Sequence, residues 1–195
     1  MASSSKFLRV IQAAIALLLI TLIAGVVLLS PKQEKEIIDF SLTSGSKTWS
    51  LNQYRGKVVV LFFGYTSCPD VCPTSMLTLS QLLAKLNPEE VDKIQPVFVS
   101  VDPARDTPEV LKSYARHFDK RIIAVTGTKA ELDKVTSELG VFYRINRADS
   151  NGEYSVDHST VLFVIGTEGE KKETLISHVV PVEYLLESVR AIFAN

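Results

Sequence analysis

Cysteine is almost missing from this chain: there are two among 195 residues, Cys68 and Cys72. A single close pair of thiols leaves two main chemistries, a soft metal ion or a disulfide, because packing alone rarely demands it. Excess charge is missing too, with 21 basic side chains against 22 acidic ones for a formal net charge of −1. A near-neutral chain without a basic stripe has no electrostatic footprint for nucleic acid. Proline is absent from everything between Glu109 and Val180, and there are no repeats or low-complexity segments.

What is present begins with a long apolar run. Residues 10–29 contain no charge and are interrupted only by Gln12, Thr21 and Gly25. As a helix this run is roughly 30 Å long, about one hydrocarbon core. It is longer than the apolar stretch of a secretory signal, and no small-x-small cleavage site follows it, so an uncleaved anchor is expected. No cysteine follows Ala24-Gly25 to carry a lipid, and no Arg-rich amphipathic leader precedes the run. Lys6 and Arg9, with no acid beside them, keep residues 1–9 cytoplasmic by the positive-inside rule. The expectation is a single-pass protein of a bacterial inner membrane, with a linker at 30–36 and a periplasmic domain at 37–195. Outside the cytosol a lone cysteine pair can be a disulfide, and copper chemistry becomes accessible.

Hydrophobic periods organise that domain. Residues 37–42 read as an edge strand, and 57–64 form a near-continuous apolar run expected of a strand buried on both faces. Leu77, Leu79, Leu82, Leu83 and Leu86 have helical spacing within 74–86. A strand at 96–101 is followed by a helix at 108–118, with Thr107 as N-cap and Pro108 first. After a strand at 122–125, Thr128 and Glu131 form a capping box for a helix through Leu139. Two hairpins follow, 142–146 with 154–156 and 160–165 with 173–179, around the turn sequences 149–152 and 166–169. A helix at 181–193 closes the chain. This order is that of a thioredoxin-like α/β domain.

The cysteines lie in Thr66-Ser67-Cys68-Pro69-Asp70-Val71-Cys72-Pro73, after the buried strand. Pro69 and Pro73 push the residues before them away from helical geometry, so the pair is expected on a turn before a helix that Pro73 opens. Cys72 then falls near the N-cap, where the helix dipole lowers a thiol pKa. Dithiol oxidoreductases of this architecture use C-x-x-C and a later cis-proline; this chain has one extra residue and no such proline. A third ligand would make a trigonal copper site. His117 is expected at the surface near a helix end and His178 in a structural role. His158, just before a strand that should neighbour the cysteine strand, is either a ligand or a packed core histidine.

These residues together resemble the Sco/SenC family, copper-binding assembly proteins of cytochrome c oxidase. The resemblance runs through Gly64-Tyr65-Thr66-Ser67-Cys68-Pro69-Asp70-Val71-Cys72-Pro73, then Val99-Ser100-Val101-Asp102-Pro103-Ala104-Arg105-Asp106-Thr107-Pro108, then Tyr154-Ser155-Val156-Asp157-His158-Ser159. It implies that Cys68, Cys72 and His158 bind one copper ion, Cu(I) or Cu(II). It also implies a copper donor protein and, as acceptor, the CuA site of oxidase subunit II. Asp70, Asp102 and Asp157 are candidates to orient the loop or the imidazole, with a turn role the competing reading for Asp157. For Asp102, Arg105 and Asp106, loop capping and a surface ion pair compete with a role at the site. The expectation is a carrier rather than an enzyme. The alternatives are an anchored thiol–disulfide reductase using Cys68 and Cys72 alone, a peroxidase-like thiol enzyme, and a redox or copper sensor.

Overall fold

The computed structural model describes residues 12, 15–22 and 35–194. The expected anchor at 10–29 and linker at 30–36 lie largely outside the described residues. Among the described residues no helix is long and apolar enough to cross a membrane. The chain divides into two units, Met1–Lys35 and Glu36–Asn195.

The centre of the second unit is β3 (Val58–Gly64), whose seven residues are all buried. Burial on both faces explains why the apolar run does not alternate. A parallel set forms on one side, β3 with β4 (Ile94–Ser100) and β4 with β5 (Ile123–Val125). On the other side β8 (Val161–Ile165) pairs antiparallel with β3, and β9 (Lys171–Ile176) with β8. The five-stranded order is therefore β5-β4-β3-β8-β9. Phe62 and Phe98 face each other in register across β3 and β4, their rings 5.8 Å apart.

Helix α1 (Val71–Lys85) follows β3, and the short α2 (Pro88–Val91) leads into β4. Helix α3 (Pro108–Phe118) starts at Thr107, whose side chain accepts from the Val110 N–H. Helix α4 (Lys129–Leu139) has the expected capping box of Thr128 and Glu131, and ends at Gly140 with φ +67°. That left-handed cap is cheap only for glycine. Helix α5 (Val182–Phe193) closes the chain, and α1 packs against α3 and α5.

The structure departs from the sequence expectations in four places. The edge strand expected at 37–42 is reduced to a bridge from Ile37 to Glu170; the regular pairing begins later, between β1 (Ser41–Ser44) and β2 (Lys47–Ser50). Gly45, at φ +63°, begins the two-residue turn between those strands, a position that selects glycine. The first long helix starts at Val71, ahead of Pro73, so Cys72 is already helical. Pro73 is tolerated there because an amide in a helix's first turn has no intrahelical acceptor to lose. The first C-terminal hairpin is β6 (Tyr143–Ile145) with β7 (Val156–His158), which places His158 on a strand rather than before one. The last strand runs over Lys171–Ile176, earlier than expected, leaving His178 exposed in the following turn.

Candidate metal centre

The chain leaves β3 at Gly64, a glycine the site requires. A Cβ there would stand 2.5 Å from the Cys72 sulfur and 3.0 Å from the Phe98 ring. Only a bare backbone lets Cys72 Sγ tuck against the end of the strand. Tyr65, Thr66 and Ser67 then turn the chain, and Cys68 N–H donates to the Tyr65 carbonyl at 3.3 Å. Cys68 is half-buried and Cys72 fully buried; both are free thiols. The base of α1 is pinned by Ser75, whose hydroxyl bonds the Val71 carbonyl and buried Ser177, each at 2.8 Å.

His158 reaches the same place from the other side of the sheet's end. Register pairs it with Tyr143 across the β6–β7 hairpin. Its ring stands edge-on to Tyr65 at 5.7 Å and to Phe62 at 6.3 Å. Nδ1 lies 3.0 Å from the Ser159 carbonyl, which can only accept, so Nδ1 carries a proton and Nε2 is turned toward the sulfurs. Nε2 is 3.4 Å from Cys72 Sγ. The three donor atoms of Cys68, Cys72 and His158 all lie within 4.8 Å of one another. Two sulfurs and one imidazole nitrogen so gathered suit a soft, copper-like ion.

The two thiols are electrostatically unequal. Hydrogen bonding from the Cys72 side chain, and then from the His158 ring and the Asp70 and Cys72 main chain, outweighs burial and lowers the Cys68 pKa to about 3. The adjacent Cys68 thiolate, with burial behind it, pushes the Cys72 pKa up. The sequence expectation was the reverse, a thiolate at Cys72 favoured by the helix dipole. Burial and a neighbouring negative charge outweigh that dipole. The pair thus holds one proton readily and gives up the other. Burial likewise raises the Tyr65 pKa, with Cys68 adding to it.

The acidic candidates separate cleanly. Asp70 contributes main chain, not carboxylate: it is the N-cap of α1 without a side-chain cap bond, and its carbonyl accepts from Thr74. Asp157 points away from the imidazole and bonds Arg144 at 2.7 Å and Asn146 at 3.0 Å on the exposed side of the hairpin. Strand alternation explains this, since neighbours on β7 face opposite ways. Asp102 is fully buried and binds Arg105 Nε at 2.6 Å and the Tyr154 hydroxyl at 2.8 Å. The expected surface ion pair is therefore an inward one, with Arg105 only 23% exposed. Asp106, also buried, accepts from the Thr66 N–H at 2.9 Å and from the Thr66 and Ser100 hydroxyls at 2.5 Å each. His117 and His178 are exposed and outside the cluster.

Comparison with known proteins follows the same lines. The family model described as SCO1/SenC matches residues 30–194. The SCO2-like protein of Rickettsia felis is 38% identical over 134 residues, which cover 68% of this chain and 65% of that protein. The chain thus matches just under two-thirds of that relative's length. Apo Sco1 from Thermus thermophilus superposes with a TM-score of 0.73 at 34% identity, covering 83% of this chain and 94% of that one. Copper-bound ScoI from Arabidopsis thaliana gives 0.72 at 29% identity, covering 81% and 98%.

Proposed function

The chain belongs to the SCO1/SenC family, and from that premise we propose that it is a membrane-anchored copper chaperone. It binds one copper ion through the Cys68 and Cys72 sulfurs and His158 Nε2, and supplies the CuA centre of cytochrome c oxidase subunit II. The observation that carries this reading is the convergence of those three donor atoms within 4.8 Å of one another. The copper-bound Arabidopsis thaliana neighbour supports the choice of metal.

Each residue has a definite task. Cys68, already ionised, is the thiolate that meets incoming copper. Cys72 surrenders its proton as the second sulfur ligand, and the two thiolates together select Cu(I). His158 adds a harder nitrogen that holds Cu(II) without loss of the ion, and its Nδ1 bond to Ser159 fixes the ring. Delivery follows when acceptor thiols displace Cys68 and Cys72 in turn. The uncharged run at 10–29, with Lys6 and Arg9 before it, supports an inner-membrane anchor and a periplasmic domain. Anchoring restricts donor and acceptor to one surface and raises their effective concentration. A separate copper donor protein loads the site.

One observation favours a second reading, a thiol–disulfide reductase. Both thiols are free, and the ionised one is the more exposed. Cys68 thiolate would attack an acceptor disulfide and form a mixed disulfide. Cys72 would then displace the acceptor, leaving a Cys68–Cys72 disulfide and two acceptor thiols; an external dithiol would restore the pair. The deciding experiment loads the reduced full chain with copper beside a His158→Ala variant. One copper per chain, with thiolate-to-Cu(II) charge-transfer bands that weaken in the variant, is expected. Absence of stable copper binding, with disulfide reduction indifferent to His158, would establish the reductase instead.

A further inference from the structure

The two arms of the centre are far apart in sequence, yet both are fastened to one short loop, 102–106, between β4 and α3. Asp106 holds the cysteine arm: its buried carboxylate takes the N–H and hydroxyl of Thr66, two residues before Cys68. Asp102 and Arg105 hold the histidine arm. Arg105 Nη1 donates to the Tyr154 carbonyl at 2.8 Å, and its guanidinium carbon lies 3.6 Å from the centre of the Tyr154 ring. The Tyr154 hydroxyl in turn donates to Asp102, so this residue is gripped by its carbonyl, its face and its phenol together. Tyr154 leads directly into β7, which ends at His158. Ser100, at the end of β4, gives its hydroxyl proton to Asp106 and accepts the Asp102 N–H, while within the loop the Asp106 N–H donates to the Asp102 carbonyl at 3.0 Å.

The histidine arm needs such a fastening. The β6–β7 hairpin is a separate two-stranded sheet, outside the main one. A hairpin of that kind is marginal by itself in water. Arg105 also leaves its buried Nη2 without a partner among the described residues, a cost that the other contacts of its side chain must outweigh.

We propose that the loop at 102–106 is a strap that registers the histidine arm against the cysteine arm, with Arg105, clamped on Tyr154, as the positioning residue that keeps His158 at the copper site. This rests on the copper reading and adds to it: loosening the strap removes the imidazole while leaving both thiolates. The chain then keeps Cu(I) and loses the geometry that accommodates Cu(II). An arginine that merely caps its loop would stabilise the fold and leave His158 where it is.

The test compares full-chain wild type with Arg105→Lys and Tyr154→Phe. The lysine keeps a charge beside Asp102 but loses the fork and the planar stack. The phenylalanine keeps the stack and loses the hydroxyl. In metal-free protein, amide exchange in β6 and β7 is expected to quicken about tenfold or more in Arg105→Lys, as charged hydrogen bonds are lost. Exchange in β3 and α1 should not move, and Tyr154→Phe should fall between. With copper, Arg105→Lys should bind one Cu(I) like wild type while its Cu(II) charge-transfer bands weaken toward those of His158→Ala. Unchanged hairpin exchange, or equal acceleration in β3, overturns the strap. Failure of wild type to bind copper overturns the copper reading, and the exchange data still decide whether the strap exists.

Discussion

The cysteine arm and the histidine arm meet at one point but are built differently. The strand that delivers the cysteines is buried along its whole length and paired on both sides, and α1 behind it buries Cys72, Ser75, Met76, Leu79, Leu82 and Leu83. The hairpin that delivers His158 has two three-residue strands, and among those residues only Val156 is buried. Local opening free energies follow buried apolar contact, so the histidine arm opens before the cysteine arm does. On the copper reading proposed above, a site made this way would have two fixed ligands and one adjustable ligand. That division suits a carrier: a firm grip on Cu(I) through sulfur, and a third ligand whose withdrawal exposes the ion to an acceptor.

The largest contrast lies within the cysteine arm. With its pKa at about 3, Cys68 should alkylate at a rate that changes by less than about twofold between pH 5 and 8. An unshifted thiol loses about tenfold in thiolate per pH unit below its pKa. Iodoacetamide labelling of the metal-free, reduced full chain, mapped by mass spectrometry, measures this; a rate at Cys68 that climbs tenfold per unit through pH 7 contradicts it. The same shifts set opposite linkages. A pKa lower in the folded state means that Cys68 ionisation favours folding, fully above the unfolded value near 9, with that gain lost as pH falls through about 3. Cys72, shifted upward, contributes below the unfolded value, and its contribution is lost at alkaline pH.

Next in size is removal of a fixed ligand against removal of the adjustable one. Cys72→Ser should weaken Cu(I) binding by more than about 100-fold, since losing even a partner outside the ligand set costs ~10–100-fold. His158→Ala should weaken Cu(I) binding less than that and Cu(II) binding more. Competition titration against a Cu(I) chelator checks it, and equal losses of Cu(I) affinity in the two variants would erase the distinction between arms. Gly64→Ala comes third. Its Cβ would press on the Cys72 sulfur at 2.5 Å, and rotating that short side chain aside takes the sulfur off the site. Overpacking of this kind costs about 1–3 kcal/mol, readable by denaturant unfolding, together with weaker copper binding. An alanine variant with wild-type stability and copper affinity would show that the arm is less rigid than its burial implies.

Legibility in the sequence divided along the same line. The buried strand announced itself as an apolar run, and Thr107, Thr128 and Glu131 marked two helix starts correctly, because capping and burial are local or composition-driven signals. The gathering of Cys68, Cys72 and His158 was anticipated through the resemblance, not from spacing, which left His158 open. For Asp157 the sequence leaves an orienting role and a turn role open, with the strand expected to end before it; once β7 includes it, alternation turns it outward. For the carboxylates of Asp102 and Asp106 the sequence leaves loop capping and a role at the site in competition. Their burial comes from Tyr154 and Thr66, partners roughly 50 and 40 positions away that no local pattern reveals. Gly64 stood in plain view, but its requirement is a sulfur from the next helix, again a tertiary fact.

The smallest effect tests whether the outer side of the hairpin matters to the site at all. Arg144 and Asp157 pair at 2.7 Å with side chains 66% and 45% exposed. Exposed pairs of this kind contribute little, because water competes for both charges and holding two long side chains costs entropy. Asp157 faces away from His158, so the pair has no direct line to the imidazole. Arg144→Ala should therefore leave the denaturant midpoint nearly where it is and the Cu(II) charge-transfer spectrum unchanged. The informative comparison is with Arg105→Lys, an arginine change that acts on the inner side of the same hairpin. If both spectra shift alike, His158 responds to the hairpin's overall stability. If only Arg105→Lys shifts it, position is transmitted through Tyr154, and the adjustable ligand is held from within.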